Sequence, residues 1–131
     1  MDHPNTFSCF EYRQKGKLQE IVSVRTERKF GFYFGYIVDL LFASGREDVG
    51  TKLLAHAEAK LKDSGCAMIT SLVSGPKEYS TAYRKAGFWR LPKVAMPHGI
   101  HFCVKDLDET QGEQLNHLDK WFLSWSDHDV V

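Results

Sequence analysis

Three residues in this sequence stand where acid–base or anion chemistry could be done. Tyr83 lies four residues before Gly87 in the run Tyr83-Arg84-Lys85-Ala86-Gly87-Phe88, at the end of a stretch with helical spacing. A phenol, with an ordinary pKa of about 10, is matched as an acid to a leaving group of similar basicity, such as a thiolate. Gly50 opens another helical stretch after an apolar strand, Tyr36 to Phe42. Backbone N–H groups at such a junction hold anions, because a helix N-terminus carries partial positive charge. Asp39 falls inside that strand between Val38 and Leu40, where a carboxylate needs a partner. Each has a plainer reading as well. Tyr83 belongs with Tyr79 to a core-facing stripe, Gly50 permits tight strand-to-helix packing, and Asp39 holds a structural hydrogen bond.

The elements that must position these residues follow from the hydrophobic period. Thr6 to Arg13 alternates loosely and predicts a strand, Lys15-Gly16-Lys17 a tight turn, and Leu18 to Glu27 a second strand. Phe30 to Phe42 is aromatic and β-branched and predicts a third, with a turn at Gly31 and either a bulge or a close backbone approach at Gly35. The period then changes. Val49, Leu53, Leu54, Ala57 and Leu61 recur at helical spacing, and Ser64-Gly65 ends the helix. Cys66 to Val73 is a short apolar run that predicts a buried parallel strand. Ser74-Gly75-Pro76 starts a second helix, with Pro76 in its first turn. Tyr79, Ala82, Tyr83 and Ala86 share a face, Gly87 stops the helix, and a strand follows at Phe88. Leu91 to Gly99 predicts an irregular loop, Ile100 to Val104 a strand, residues 108–120 a polar segment with weak helical spacing, and Trp121 to Trp125 a last strand. The order is that of an α+β fold around a mixed sheet.

The chain has 131 residues, 43% hydrophobic and 26% charged, which suits a single domain over residues 1–131. Lysine plus arginine and aspartate plus glutamate each number 17. That balance lacks the basic excess with which proteins hold nucleic acid or anionic membrane, so neither is expected as a partner. Glu27 interrupts the basic run from Arg25 to Lys29, which reads as a solvated strand end. No apolar run reaches the roughly 18 residues of a membrane span. Met1-Asp2-His3-Pro4-Asn5 lacks the basic-then-apolar order of a signal peptide, so a cytoplasmic location is expected. Cys9, Cys66 and Cys103 form no C-x-x-C pair and fall in apolar strand patterns, where buried, inert thiols are expected. His98 with His101, and Asp127-His128-Asp129, match no metal-site spacing.

Strand, glycine at a helix start, strand, then a helix ending in Y-x-x-x-G-F resembles the acyl-CoA-binding half of the GNAT N-acyltransferases, over roughly residues 18 to 106. The resemblance implies a GNAT-like mixed sheet with two main helices, lacking the N-terminal strand and helices with which family members usually begin. It implies acetyl-CoA or another acyl-CoA as cofactor and an amine-bearing small molecule or peptide as acceptor. Tyr83 would protonate the departing thiolate and Asp39 would take the amine proton. Phe42, Arg46, Val49, Gly50 and Thr51 would line the cofactor. The family's phosphate loop runs basic residue, two residues, glycine, one residue, then glycine or alanine. Here Gly50 takes the last position, Asp48 the first glycine and Gly45 the basic residue, with Arg46 one place later. Pro76 stands where many members carry asparagine. A carboxylate at Asp48 would repel a pyrophosphate by about 1 kcal/mol at partial exposure. These departures open a second reading, a catalytically degenerate GNAT-fold module for binding or dimerisation. Phe30, Phe32, Tyr33, Phe34 and Tyr36 are expected to form a bare aromatic surface, of the kind that a homodimer covers.

Overall fold

A computed structural model of the chain describes residues 6–95 and 121–124. Its first third is an antiparallel meander of β1 (Phe7–Gln14), β2 (Lys17–Lys29) and β3 (Phe32–Leu41). Two-residue turns join the strands, Lys15 (φ 50°) with Gly16 (φ 76°) and Phe30 (φ 54°) with Gly31 (φ 84°). Positive φ at both positions is the type I′ geometry, whose twist matches that of the flanking strands. Phe30 thus belongs to the turn rather than to the strand. Its Cβ is crowded there in a way that Gly31 escapes.

Helix α1 (Glu47–Asp63) begins three residues before Gly50, which sits inside its first turn. Glu47 and Asp48 complement its positive end, and Lys60 and Lys62 its negative end. Gly65, at φ 79°, ends it as expected. Strand β4 (Cys66–Ser71) returns parallel to β3, and α2 (Lys77–Lys85) follows with Pro76 as its N-cap. The sheet order β1-β2-β3-β4, with one parallel pair, makes the fold α+β around a mixed four-stranded sheet with two helices.

Val22, Val24, Ile37 and Leu40 of the sheet pack on Leu53, Leu54, Ala57 and Leu61 of α1, and α2 adds Ala82 and Tyr83. Gly35 allows this closeness, since a Cβ there would lie 3.0 Å from Leu61 Cδ1. The close-approach reading of Gly35 therefore holds and the bulge lies elsewhere. Val24 pairs with Ile37 while Ser23 pairs with Asp39, so Val38 is the extra residue.

Several expectations are corrected. β4 ends at Ser71 rather than Val73, and it is not buried, with Met68 54% exposed. Among the described residues no strand pairs with the far side of β4. No strand begins at Phe88 among the described residues: residues 88–92 are irregular and Lys93–Ala95 form one 3-10 turn. Residues 121–124 are irregular too: Phe122 packs its ring on Tyr79 of α2, and the Trp121 carbonyl accepts a hydrogen bond from Ser74 Oγ. Cys9 is exposed on edge strand β1, and Cys66 is half-buried. The strand expected at 100–104, the polar segment 108–120, Cys103, Trp125 and both histidine groups lie outside the described residues. Among the described residues no helix is long and apolar enough to cross a membrane, and no group of three or more His, Cys, Asp or Glu could hold a metal ion.

Candidate functional site

The site is built by two strands that part. The β3–β4 ladder runs from Tyr33 with Cys66 to Ile37 with Ser71 and stops there, at the bulge. β3 continues to Leu41 without β4 beside it, and a cleft opens between them. Val38 and Leu40 line one wall, Leu72, Val73 and Ser74 the other, and Tyr79 and Tyr83 come in from α2. The empty space among these residues, about 220 Å³, includes open solvent, and the enclosed part holds little more than a water molecule, with Phe122, Leu123 and Ser124 along one side.

Tyr83 meets both of its readings. It is 7% exposed and belongs to the core, while its hydroxyl borders the cleft and accepts a hydrogen bond from Ser71 Oγ at 2.7 Å. Burial pushes the phenol far above its ordinary pKa, against the Ser71 hydrogen bond, and the charges of Asp39 and Tyr79 push the same way as burial. The surrounding spacing has its own physical cause. Phe88 N–H bonds to Tyr83 O and Gly87 N–H to Arg84 O, both at 3.0 Å, with Gly87 at φ 91°. That is a Schellman cap, and its customary apolar contact is made by the Tyr83 and Phe88 rings, edge to face at 5.2 Å. Y-x-x-x-G-F therefore specifies how α2 ends, whatever else Tyr83 does.

Asp39 lies at the bulge, half-buried, and accepts a hydrogen bond from Ser124 Oγ at 2.5 Å. Ser124 is only 4% exposed. Tyr83 lines the cleft and Asp39 does not, reaching it only through Ser124, which does. Each of the two has a serine partner that its own stretch of sequence does not announce. An isolated serine in an apolar run gives no periodic signal. Tyr79 was read only as core. Its hydroxyl accepts from Phe42 N–H and donates to Phe42 O, both at 3.3 Å, which clamps the end of β3.

The residues expected to line a cofactor are occupied by the fold to different degrees. Phe42 and Val49 are buried at 8% and 4% exposure. Gly50 faces the Phe42 ring so closely that a Cβ would lie 2.6 Å from Cδ1, and its N–H bonds to Arg46 O. The packing reading accounts for that glycine. Thr51 Oγ1 bonds within the helix to Glu47 O. Arg46 keeps a half-exposed guanidinium, 3.6 Å from Asp48 and within reach of Tyr12 and Glu20. Asp48 is thus partly neutralised. The loop donors are also engaged: Ser44 Oγ donates to Glu78 Oε1 at 2.9 Å and Gly45 N–H to Oε2 at 3.3 Å. Beneath the loop, Glu20 is 2% exposed, a burial that nothing in the polar run Lys17-Leu18-Gln19-Glu20 foretold.

Comparison of the whole chain with protein-family models, with curated proteins and with solved structures found no match.

Proposed function

We propose that the chain is a cytoplasmic GNAT-like N-acyltransferase domain that moves an acetyl or other acyl group from acyl-CoA to the amine of a small molecule or peptide. The observation that carries this reading is the parallel pair that parts beyond Ile37 and Ser71, with the Tyr83 hydroxyl at the gap. A strand freed from its ladder keeps N–H and C=O groups for an extended ligand, and the amide-bearing arm of coenzyme A is of that kind. With the thioester in the gap, the amine nitrogen attacks the acyl carbon and its proton passes to Asp39. The C–S bond then breaks and the thiolate takes a proton from Tyr83. Ser124 would orient the carboxylate and Ser71 the phenol. The cofactor phosphates would lie against Ser44, Gly45 and Arg46 at the start of α1.

A second reading, a degenerate GNAT-fold module for binding or dimerisation, draws on two contacts. Glu78 sits on the loop donors, and burial makes Tyr83 a weaker acid than a free phenol. Calorimetric titration of the chain with acetyl-CoA, with desulfo-CoA for comparison, separates the two. Micromolar binding supports the transferase and leads to an acceptor screen read by thiol release. Absence of binding at millimolar acetyl-CoA overturns it in favour of the binding module.

A further inference from the structure

The transfer chemistry leaves one buried acid unused, Glu20 of β2, beneath the loop between β3 and α1. It is 2% exposed, and neither carboxylate oxygen has a well-aligned hydrogen-bond partner. The groups that face it come from every neighbouring element. Tyr12 stands opposite on β1, Arg46 precedes α1, Asp48 lies in its first turn, and the end of β3 offers the Ala43 backbone. On the loop's other side, Glu78 of α2 holds Ser44 and Gly45. The loop therefore has anion-binding donors and a guanidinium, yet it is held between carboxylates. Burial pushes the Glu20 carboxyl above its ordinary value, Arg46 opposes this, and Asp48 adds to it. A desolvated acid responds steeply to further negative charge, since little water screens the interaction.

We propose that this loop is a proton-linked anion site, where a phosphate or pyrophosphate group binds Ser44, Gly45 and Arg46 as Glu78 withdraws and Glu20 takes up one proton from solvent. The anion's identity as that of coenzyme A rests on the acyl-CoA reading; the proton linkage does not. Affinity rises as pH falls through the Glu20 titration, by at most about tenfold per pH unit for one proton.

The test is calorimetric titration of the full chain, Glu20→Gln and Glu78→Gln with acetyl-CoA and, separately, inorganic pyrophosphate. It runs from about pH 5 to 8, upward from the ordinary glutamate range, in two buffers of different ionisation enthalpy. The two-buffer proton count needs no variant. Titration of the ligand's own phosphates is common to all three proteins, so differences between them are the readout. The wild type is expected to take up more protons than Glu20→Gln, up to one, and to lose affinity relative to it as pH rises. Glu78→Gln is expected to bind about three- to tenfold more tightly, having lost a charged competitor. Equal proton uptake with parallel pH profiles in wild type and Glu20→Gln overturns the proposal and leaves the acyl-CoA reading standing. Linkage with pyrophosphate but no binding of acetyl-CoA supports the anion site and overturns the acyl-CoA reading. No binding of either ligand by any of the three overturns both.

Discussion

Replacing Gly50 by alanine separates helix propensity from packing at the β3–α1 junction. In an open helix the change is favourable by about 1 kcal/mol. Here the new methyl would lie 2.6 Å from Phe42 Cδ1, 2.7 Å from Cε1 and 3.1 Å from Cγ. Contact with Cγ matters, because that atom moves little when the ring turns. The ring is also held from behind by Tyr79, 4.4 Å between centroids, whose hydroxyl pins the Phe42 backbone. Overpacking of this kind costs about 1–3 kcal/mol. After the helix gain, Gly50→Ala should destabilise the fold by about 1 kcal/mol. Phe42→Leu removes the ring, so in that background the alanine should be neutral or stabilising, a coupling of roughly 1–2 kcal/mol. Urea unfolding of the four proteins, followed by helical circular dichroism, measures the cycle. A Gly50→Ala protein as stable as wild type or more so, with no coupling to Phe42, would refute the packing argument.

Glu20→Gln should stabilise the fold at neutral pH. Its carboxyl is raised in the folded state, so the native fold disfavours the ionised form and loses stability as pH climbs above the ordinary glutamate range; thermal melts should show the variant's advantage shrink below about pH 5, and a constant or reversed difference contradicts this. Tyr83→Phe keeps the ring contact with Phe88 but removes the hydroxyl bonded to Ser71; turnover should fall by about a hundredfold or more with acetyl-CoA affinity nearly unchanged, and unchanged turnover removes the acid role. Phe30→Asn should stabilise by about 1 kcal/mol in denaturant titrations, since Phe30 is 93% exposed at φ 54° and little packing is lost; a loss of stability would mean that its ring makes a contact worth more than the turn strain. Of the aromatic surface expected from residues 30–36 only Phe30 and Phe32 are exposed, Tyr33, Phe34 and Tyr36 being half-buried. Phe32 instead shares the sheet face opposite α1 with Phe7 and Met68, at 60%, 61% and 54% exposure, and sedimentation should find a homodimer at micromolar concentration that Phe32→Lys weakens; a monomeric wild type removes the idea.

The parts of the fold legible in the sequence are those whose cause is local. Alternation in residues 6–29, the glycines at 16 and 31, and the apolar stripe from Val49 to Leu61 act over a few residues, and each element formed where its period placed it. Cys66 to Val73 does hold a strand parallel to β3, but its end at Ser71 and its exposure were not legible, because an apolar run does not record how the finished packing covers it. Trp121 to Ser124 failed for a related reason: Phe122 is apolar because it packs on Tyr79, 4.9 Å between rings, and an aromatic carries no mark of which partner it will meet.

The site divides in the same way. Y-x-x-x-G-F was legible because a Schellman cap demands that spacing, so what it announced was a helix end with a tyrosine on it. The groups that decide what Tyr83, Asp39 and the loop can do arrive from farther along the chain. Ser71 is 12 residues from Tyr83, Glu78 is 34 from Ser44, and Ser124 is 85 from Asp39. None of these side chains belongs to a periodic pattern, and each acts through one hydroxyl or carboxylate whose position depends on the finished packing. A spacing that the backbone already requires cannot by itself report chemistry. Glu20 is the opposite case, since its burial at 2% with no aligned partner is a cost that no local rule of this fold demands.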